Sequence, residues 1–335
     1  MSTRATTLMI QPEAGIVPVV QAIRRAKRTV DIAIFRLNHA ELESALGAAV
    51  QRGVKVRALV AHTNRGGAAR LRKLEQRLLG AGVMVSRTGE DFVKYHGKYL
   101  VVDGVQLYLL GFNYTKTDTN ASRSFGVLTR DRRAVRDALR LFECDLARQA
   151  YNGSPHSPLV VSPESSRDAL RQFIKGARRR LAIYDARIED PAFIKLLRER
   201  QAAGVTVQVI GRARTLESGT EVRLLKDLRL HVRAILRDGT RAFVGSQSLR
   251  RLELDRRREV GLIITNPSVA RRMTEVFDRD WEASANGWSA EKSKKDAKGE
   301  KEKGKEKEKG KEKVKEKDKD KDKDGKDRLA EEQIA

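Results

Sequence analysis

An internal repeat constrains this chain more than any other feature. Leu8-Met9-Ile10-Gln11-Pro12 parallels Leu159-Val160-Val161-Ser162-Pro163, and Ile23 and Ala26 return as Ile174 and Ala177, all 151 positions later. Gly53-Val54-Lys55-Val56 and Gly204-Val205-Thr206-Val207 keep that offset. A shortening of 16 residues then resets it to 135, where His96, Asp103, Gly126, Phe142 and Asp145 meet His231, Asp238, Gly261, Phe277 and Asp280. The chain is therefore expected to fold as two similar halves, residues 1–150 and 155–288. Gly153, Pro155 and Pro158 mark the linker between them.

Each half shows the same order of elements. A short apolar strand (TLMI; LVV) precedes an amphipathic helix (PVVQAIRRAKR; ALRQFIKGARRR), a strand (TVDIAIF; RLAIYDA), a second helix and a Gly-Val strand. Helices alternating with short apolar strands predict an α/β sandwich. Each half ends in a hairpin, GKYLVVDGVQLYLLG or VRAILRDGTRAFVGS, followed by a last helix. Both hairpins turn at Asp-Gly, which supplies the positive φ angles that a tight two-residue turn needs.

From Ser289 the chain becomes a Lys/Glu/Asp alternation with almost nothing apolar to bury, so residues 289–335 are expected to be a disordered tail. The tail matters for the charge. The whole chain carries +24, from 69 Lys plus Arg against 45 Asp plus Glu. Nearly all of that excess lies before residue 291 and is dominated by arginine, whose planar fork suits phosphate. A polyanion or an anionic membrane surface is thus a natural partner. The single cysteine, Cys144, excludes an intramolecular disulfide and any multi-cysteine metal site. With no secretory signal and no long apolar run, the expected location is cytoplasmic, with peripheral contact at a membrane open.

The first half contains His96-Gly97-Lys98-Tyr99-Leu100-Val101-Val102-Asp103, the pattern HxKxxxxD. The second contains His231-Val232-Arg233-Ala234-Ile235-Leu236-Arg237-Asp238, the same pattern with Arg for Lys at the repeat-equivalent place. On a strand, residues two apart share a face, so His96 would project with Lys98 and His231 with Arg233. One imidazole and one cation from each half make a clamp for a phosphodiester. By the same parity Asp103 and Asp238 point the other way, at the turns, and read as supporting residues.

In these two motifs the chain resembles the phospholipase D superfamily, whose members pair two HxKxxxxD motifs from the halves of a duplicated α/β fold. The resemblance covers about residues 1–285. It implies a GSxN segment seven residues after each Asp and an acidic residue further on, and here these are divided between the halves. Leu110-Gly111-Phe112-Asn113 keeps the Asn, whereas Gly245-Ser246-Gln247-Ser248 keeps the Gly-Ser. Glu259 holds the acidic place in the second half and Ser124 the corresponding place in the first.

The resemblance also implies a mechanism of double displacement without metal or cofactor. His96 would attack phosphorus and become phosphohistidine, oriented by Glu259 from the other half. His231 would serve as acid and base, facing Ser124 instead of a carboxylate. Lys98, Arg233, Asn113, Ser246 and Ser248 would hold the phosphate, with Asp103 and Asp238 completing the signature. Arg250, Arg251 and Arg256 to Arg258 are further candidates for contact with a phosphate-rich substrate. His39, His62 and His156 have no repeat partner and are expected at the surface or in loops.

Three functions fit these readings. The first is a phospholipid hydrolase or phosphatidyl transferase, and the second a metal-independent nuclease. The third is an impaired module that binds anionic lipid or nucleic acid. Because both halves are in one chain, a monomer can complete the site.

Overall fold

The computed structural model describes residues 6–64, 67–213 and 220–286. The tail expected from Ser289 lies outside them. The first half runs β1 (Thr7–Gln11), α1 (Val17–Arg25), β2 (Thr29–Ile34), α2 (Ala40–Gln51), β3 (Lys55–Val60), α3 (Ala68–Gly80) and β4 (Met84–Arg87). It continues with β5 (Lys94–Tyr95), β6 (Tyr99–Val102), β7 (Gln106–Leu110), α4 (Lys116–Asn120), β8 (Ser122–Thr129) and α5 (Arg132–Ala147). The second half begins β9 (Leu159–Ser162), α6 (Ser166–Lys175), β10 (Arg180–Ile188), α7 (Pro191–Ala202), β11 (Thr206–Ala213) and β12 (Glu221–Leu224). It ends β13 (Arg229–Leu230), β14 (Arg233–Arg237), β15 (Arg241–Gly245), α8 (Arg251–Asp255), β16 (Arg257–Ile264), α9 (Pro267–Ala283) and β17 (Ala285–Asn286).

The two mixed sheets and repeated element order are those the sequence predicts, and the shortening has a structural address. The 16 residues fall in the connection from β3 to β4, which in the first half carries α3. Among the described residues the first sheet has the order β1-β8-β7-β6-β2-β3-β4 and the second β17-β12-β11-β10-β14-β15-β16-β5, with β9 along β16. Strands such as β2 are buried on both faces, which is why they read as continuous apolar runs without polar alternation. The hairpin turns take positive φ at Asp103 and Gly104 and at Asp238 and Gly239, as an Asp-Gly turn requires.

The core has three layers. α1 to α3 pack on one face of the first sheet through Ile23, Leu46 and Leu78. α6 and α7 pack on one face of the second through Phe173, Ile174 and Leu197. Between the sheets lies a shared core in which Phe142 of α5 and Phe277 of α9 meet residues of both halves, among them Phe125 and Tyr184. Caps fix where those central helices begin. Asp131 accepts from the backbone of Arg133 and Ala134, and Asn266, its repeat equivalent, from Ser268 and Val269.

One departure from the predicted organisation creates the site. β5 does not join its own sheet; it pairs in parallel with β16, Lys94 opposite Arg257 and Tyr95 opposite Arg258. β13 likewise pairs with β8 of the first sheet, Arg229 opposite Ser122 and Leu230 opposite Arg123. Each half thus lends a two-residue strand to the other. The chain must then cross back to its own sheet within a few residues, and both histidines sit on that crossing.

Candidate active site

The crossing corrects one expectation from the sequence. His96 and Lys98 are not on the hairpin strand but in the segment between β5 and β6, and His231 lies between β13 and β14. The exchanged strands anchor them. The His96 amide donates to the Arg258 carbonyl (2.7 Å) and the His231 amide to the Arg123 carbonyl (3.2 Å), so each histidine hangs from the opposite sheet.

His96 is held on two sides. Its Nδ1 lies 2.7 Å from Glu259 Oε2, and its ring meets Phe35 edge-on at 4.7 Å. Burial, together with Lys98 and Arg233, holds the imidazole well below the usual histidine range. A neutral ring whose Nδ1–H donates a hydrogen bond to the carboxylate keeps its Nε2 lone pair available. Glu259 is fully buried, and burial pushes its carboxyl up, opposed by Lys98 and by the Ser246 hydroxyl. Ser246 Oγ also accepts from the Val260 amide (3.2 Å).

His231 has a different environment. Its Nδ1 is buried without a hydrogen-bond partner, as is the Ser124 hydroxyl. Burial, Arg233 and Lys98 hold its imidazole well below the usual range, and His96 contributes in the same direction. Both cations therefore act on both rings, which places the two motifs in one cluster. Lys98 Nζ donates to the carbonyl of His96 (2.7 Å), and Arg233 Nη1 to the carbonyl of His231 (2.9 Å). Lys98 is buried, and desolvation with the nearby Arg233 pulls its ammonium down to about 7. Arg233 Nε also reaches Ser248 Oγ (3.2 Å).

The aspartates of the two motifs lie apart from this cluster. Asp103 accepts from the backbone amides of Lys27, Arg28 and Thr29, and Asp238 from those of Arg178, Arg179 and Arg180. Those bonds tie each hairpin turn to the start of the neighbouring strand, the supporting position that strand parity predicts for both residues. The arginine cluster also needs correction. Arg258 is 1% exposed and committed to Asp145 and Glu164. Arg257 pairs with Glu253 (3.0 Å) and Arg250 with Glu189 (2.7 Å). The Arg258 guanidinium, buried against carboxylates, is not free for substrate, whereas Arg251 and Arg256 are exposed. His39, expected at the surface or in a loop, lies in the loop that leads into α2, where it is buried with Nε2 2.9 Å from Thr119 Oγ1.

Two acidic residues beside the cluster escaped the sequence reading. Asp118 in α4 accepts from the amide (2.8 Å) and the side chain (2.6 Å) of Asn113, pairs with Arg229, and lies 3.7 Å from His231 Nε2. Glu253, its repeat equivalent in α8, accepts from the Ser248 amide (2.8 Å), and its charge acts on His96 and Lys98. Both stand five residues beyond the Asn113 and Ser248 positions, so the 135-residue register was the available signal. Gly111, where the GSxN pattern has Ser, is explained by space. A Cβ there would lie 2.9 Å from the Phe125 carbonyl and 3.1 Å from Ser124 Oγ.

The family described as "Cardiolipin synthase, PLD-like domain" matches residues 19–146 and 170–281, the bodies of both halves. This chain belongs to that phospholipase D-like family. Among solved structures, polyphosphate kinase from Porphyromonas gingivalis is similar at a TM-score of 0.69 and 19% identity, over 82% of this chain and 50% of that one. The phospholipase D-like chain thus spans half the length of that enzyme. Phosphatidylserine synthase from Haemophilus influenzae is similar at 0.63 and 11% identity, over 84% and 86%. At those identities the likeness is one of fold. No curated protein sequence matches the chain at a significant level. Among the described residues no group of three or more His, Cys, Asp or Glu is placed to hold a metal ion, and no helix is long and apolar enough to cross a membrane.

Proposed function

We propose that this chain is a phosphodiesterase of the phospholipase D type that acts on phospholipids, hydrolysing or exchanging the head group through a phosphohistidine on His96. The observation that carries the reading is the unequal support of two imidazoles, His96 partly buried and His231 buried, that share two cations. His96 has a carboxylate on Nδ1, whereas His231 Nδ1 has no partner. A nucleophile benefits from a fixed neutral tautomer, and an acid must change protonation state.

In the first step His96 Nε2 forms a bond to phosphorus while the bond to the leaving alcohol breaks, and His231 gives that oxygen its proton. In the second step His231 takes a proton from water or an acceptor alcohol, the new P–O bond forms, and the P–N bond breaks. Two in-line displacements retain configuration at phosphorus. Lys98 and Arg233 stabilise the non-bridging oxygens, where charge is concentrated in each transition state. Burial and the same two cations disfavour a proton on His231. A bound diester brings a negative charge that counters them, so substrate binding itself arms the acid.

The lipid class is supported by the family's description as a cardiolipin synthase domain and by the fold shared with a phosphatidylserine synthase. The test is to mix the full chain with phosphatidylglycerol labelled at phosphorus, quench with base, in which a phosphoramidate survives, and locate the label. Label on His96, with glycerol released, is the expected result. Label acquired only from an oligonucleotide would make the chain a nuclease, and binding of either without label would make it a binding module. DNA binding would also fall steeply as salt rises.

Lys98 gives a pH prediction. With its ammonium near 7, it loses its charge as pH rises through neutrality rather than above 10. kcat/KM for an anionic diester is therefore expected to fall above about pH 7. In Lys98→Arg the remaining activity should keep its alkaline limb to much higher pH, because guanidinium stays charged. An unshifted limb in that variant would exclude Lys98 as its origin.

Asp118→Asn keeps the bonds to Asn113 in outline but removes the charge beside His231 Nε2. The expected result is a kcat lower by about tenfold to a hundredfold with KM little changed, and a shifted acidic limb in the pH profile. A change in KM alone would assign Asp118 to holding the Asn113 loop.

A further inference from the structure

A cavity of about 280 Å³ opens between α1 and the first sheet, and no residue of the catalytic cluster lines it. Its floor is apolar, formed by Met9, Ala22, Val102 and Leu128. The Tyr108 ring joins that floor, and its hydroxyl has only a long bond to Gln106 (3.4 Å). Arg25, in the last turn of α1, and Arg130, just past β8, stand at its rim, both exposed. Neither guanidinium has an acidic partner among the described residues, and both act on the Tyr108 hydroxyl. Asp103 also lines the cavity, but its carboxylate is engaged by backbone amides.

The duplicated fold provides an internal comparison. At the equivalent positions of the second half, Arg25 is replaced by Gly176, Arg130 by Thr265 and Val102 by Arg237. Arg237 lies over the Phe173 ring at 4.8 Å, donates to the Phe173 carbonyl (2.9 Å) and stands against Gly176. It occupies the space that is open in the first half. The cavity and both of its free cations thus belong to one half only and are not a by-product of the architecture.

We propose that this cavity binds an anionic amphiphile, a single acyl chain bearing an acidic head group, with the chain on the apolar floor and the head between Arg25 and Arg130. The volume sits at the small end of ligand pockets, which suits one chain rather than two. Free fatty acid and an anionic lipid reaching up from a bilayer share this chemistry. The inference does not depend on the catalytic reading.

The test is calorimetric titration of the full chain with decanoate, a carboxylate that contains no phosphodiester. One equivalent is expected to bind. Arg25→Ala/Arg130→Ala should weaken it about tenfold, the loss of two charge-assisted contacts at a half-open rim. Ala22→Phe, which fills the floor, should weaken it as far, with thermal melting used to show that each variant is folded. His96→Ala should bind decanoate as the native chain does, which separates this site from the catalytic centre. No binding by the native chain, or binding unchanged in the double arginine variant, overturns the proposal. Sedimentation with phosphatidylglycerol vesicles then distinguishes the sources. Weaker sedimentation of the double variant supports the site with a bilayer lipid as occupant, and unchanged sedimentation supports it with a free amphiphile.

Discussion

Replacing His96 by alanine is expected to lower phosphodiester turnover by on the order of 10⁴-fold or more, because the group that forms the covalent intermediate is gone and the remaining residues act as a unit with it. His231→Ala should differ in kind. With a substrate whose leaving group needs no proton, such as a nitrophenyl phosphodiester, its first displacement survives while the second lacks a base. Phosphoenzyme should therefore accumulate in His231→Ala and be absent in His96→Ala. Glu259→Gln belongs between the two, since the amide can still meet Nδ1 but cannot fix the tautomer through charge. The reverse pattern, label trapped in His96→Ala on His231, would exchange the two roles. Equal residual turnover in both single variants and the native chain would end the proposed mechanism.

The second large effect is on stability. Arg258→Met should destabilise the fold by about 3–5 kcal/mol, because it leaves the Asp145 carboxylate buried without its guanidinium. Asp145 is enclosed by Tyr95 Oη (2.9 Å) and Arg258 (3.0 Å), and burial already pushes its carboxyl up to about 6. In the variant it should rise further, so the deficit relative to the native chain is largest at neutral pH and shrinks as pH falls and the carboxyl takes up a proton. Denaturant titrations at pH 5 and pH 8 would check both the size and the sign. An equal loss at the two pH values would mean that packing, not the unpaired charge, is responsible.

This ion pair has a twin that explains why the halves stay registered. Arg123 of β8 bonds Asp280 of α9 (2.8 Å), and Arg258 of β16 bonds Asp145 of α5, each arginine reaching into the opposite half. Glu13 and Glu164 complete the two clusters from the loops after β1 and β9. These crosslinks lie one residue from Ser124 and from Glu259, the carboxylate bonded to His96. The geometry of the catalytic cluster and the docking of the halves are therefore set by the same strands.

Much of this was legible because it is local. The repeat offset, the apolar runs and the two Asp-Gly turns are carried by residues within a few positions of one another, and they specified two sandwiched halves with a hairpin in each. The motif spacing specified which imidazoles and cations belong together, and the register placed an acidic residue at Glu259 and none at Ser124. The strand exchange was not legible. β5 and β13 have two residues each, too few to show a period, and their partners lie more than 100 residues away in sequence. That exchange moved His96 and His231 off the hairpin strands and brought Glu259 to His96.

Arg258 reads in sequence as one of three adjacent arginines and a candidate for substrate; only the approach of Asp145 and Glu164 from distant helices and loops makes it an internal crosslink. Asp118 and Glu253 were likewise unremarkable acids on short helices until the fold buried them beside the opposite histidines. The sequence by itself determined the duplication, the turns and the inventory of reactive groups, since these depend on neighbours along the chain. Which groups meet, which are spent on each other and which stay free depended on contacts between residues far apart in sequence, and only the tertiary structure could decide them.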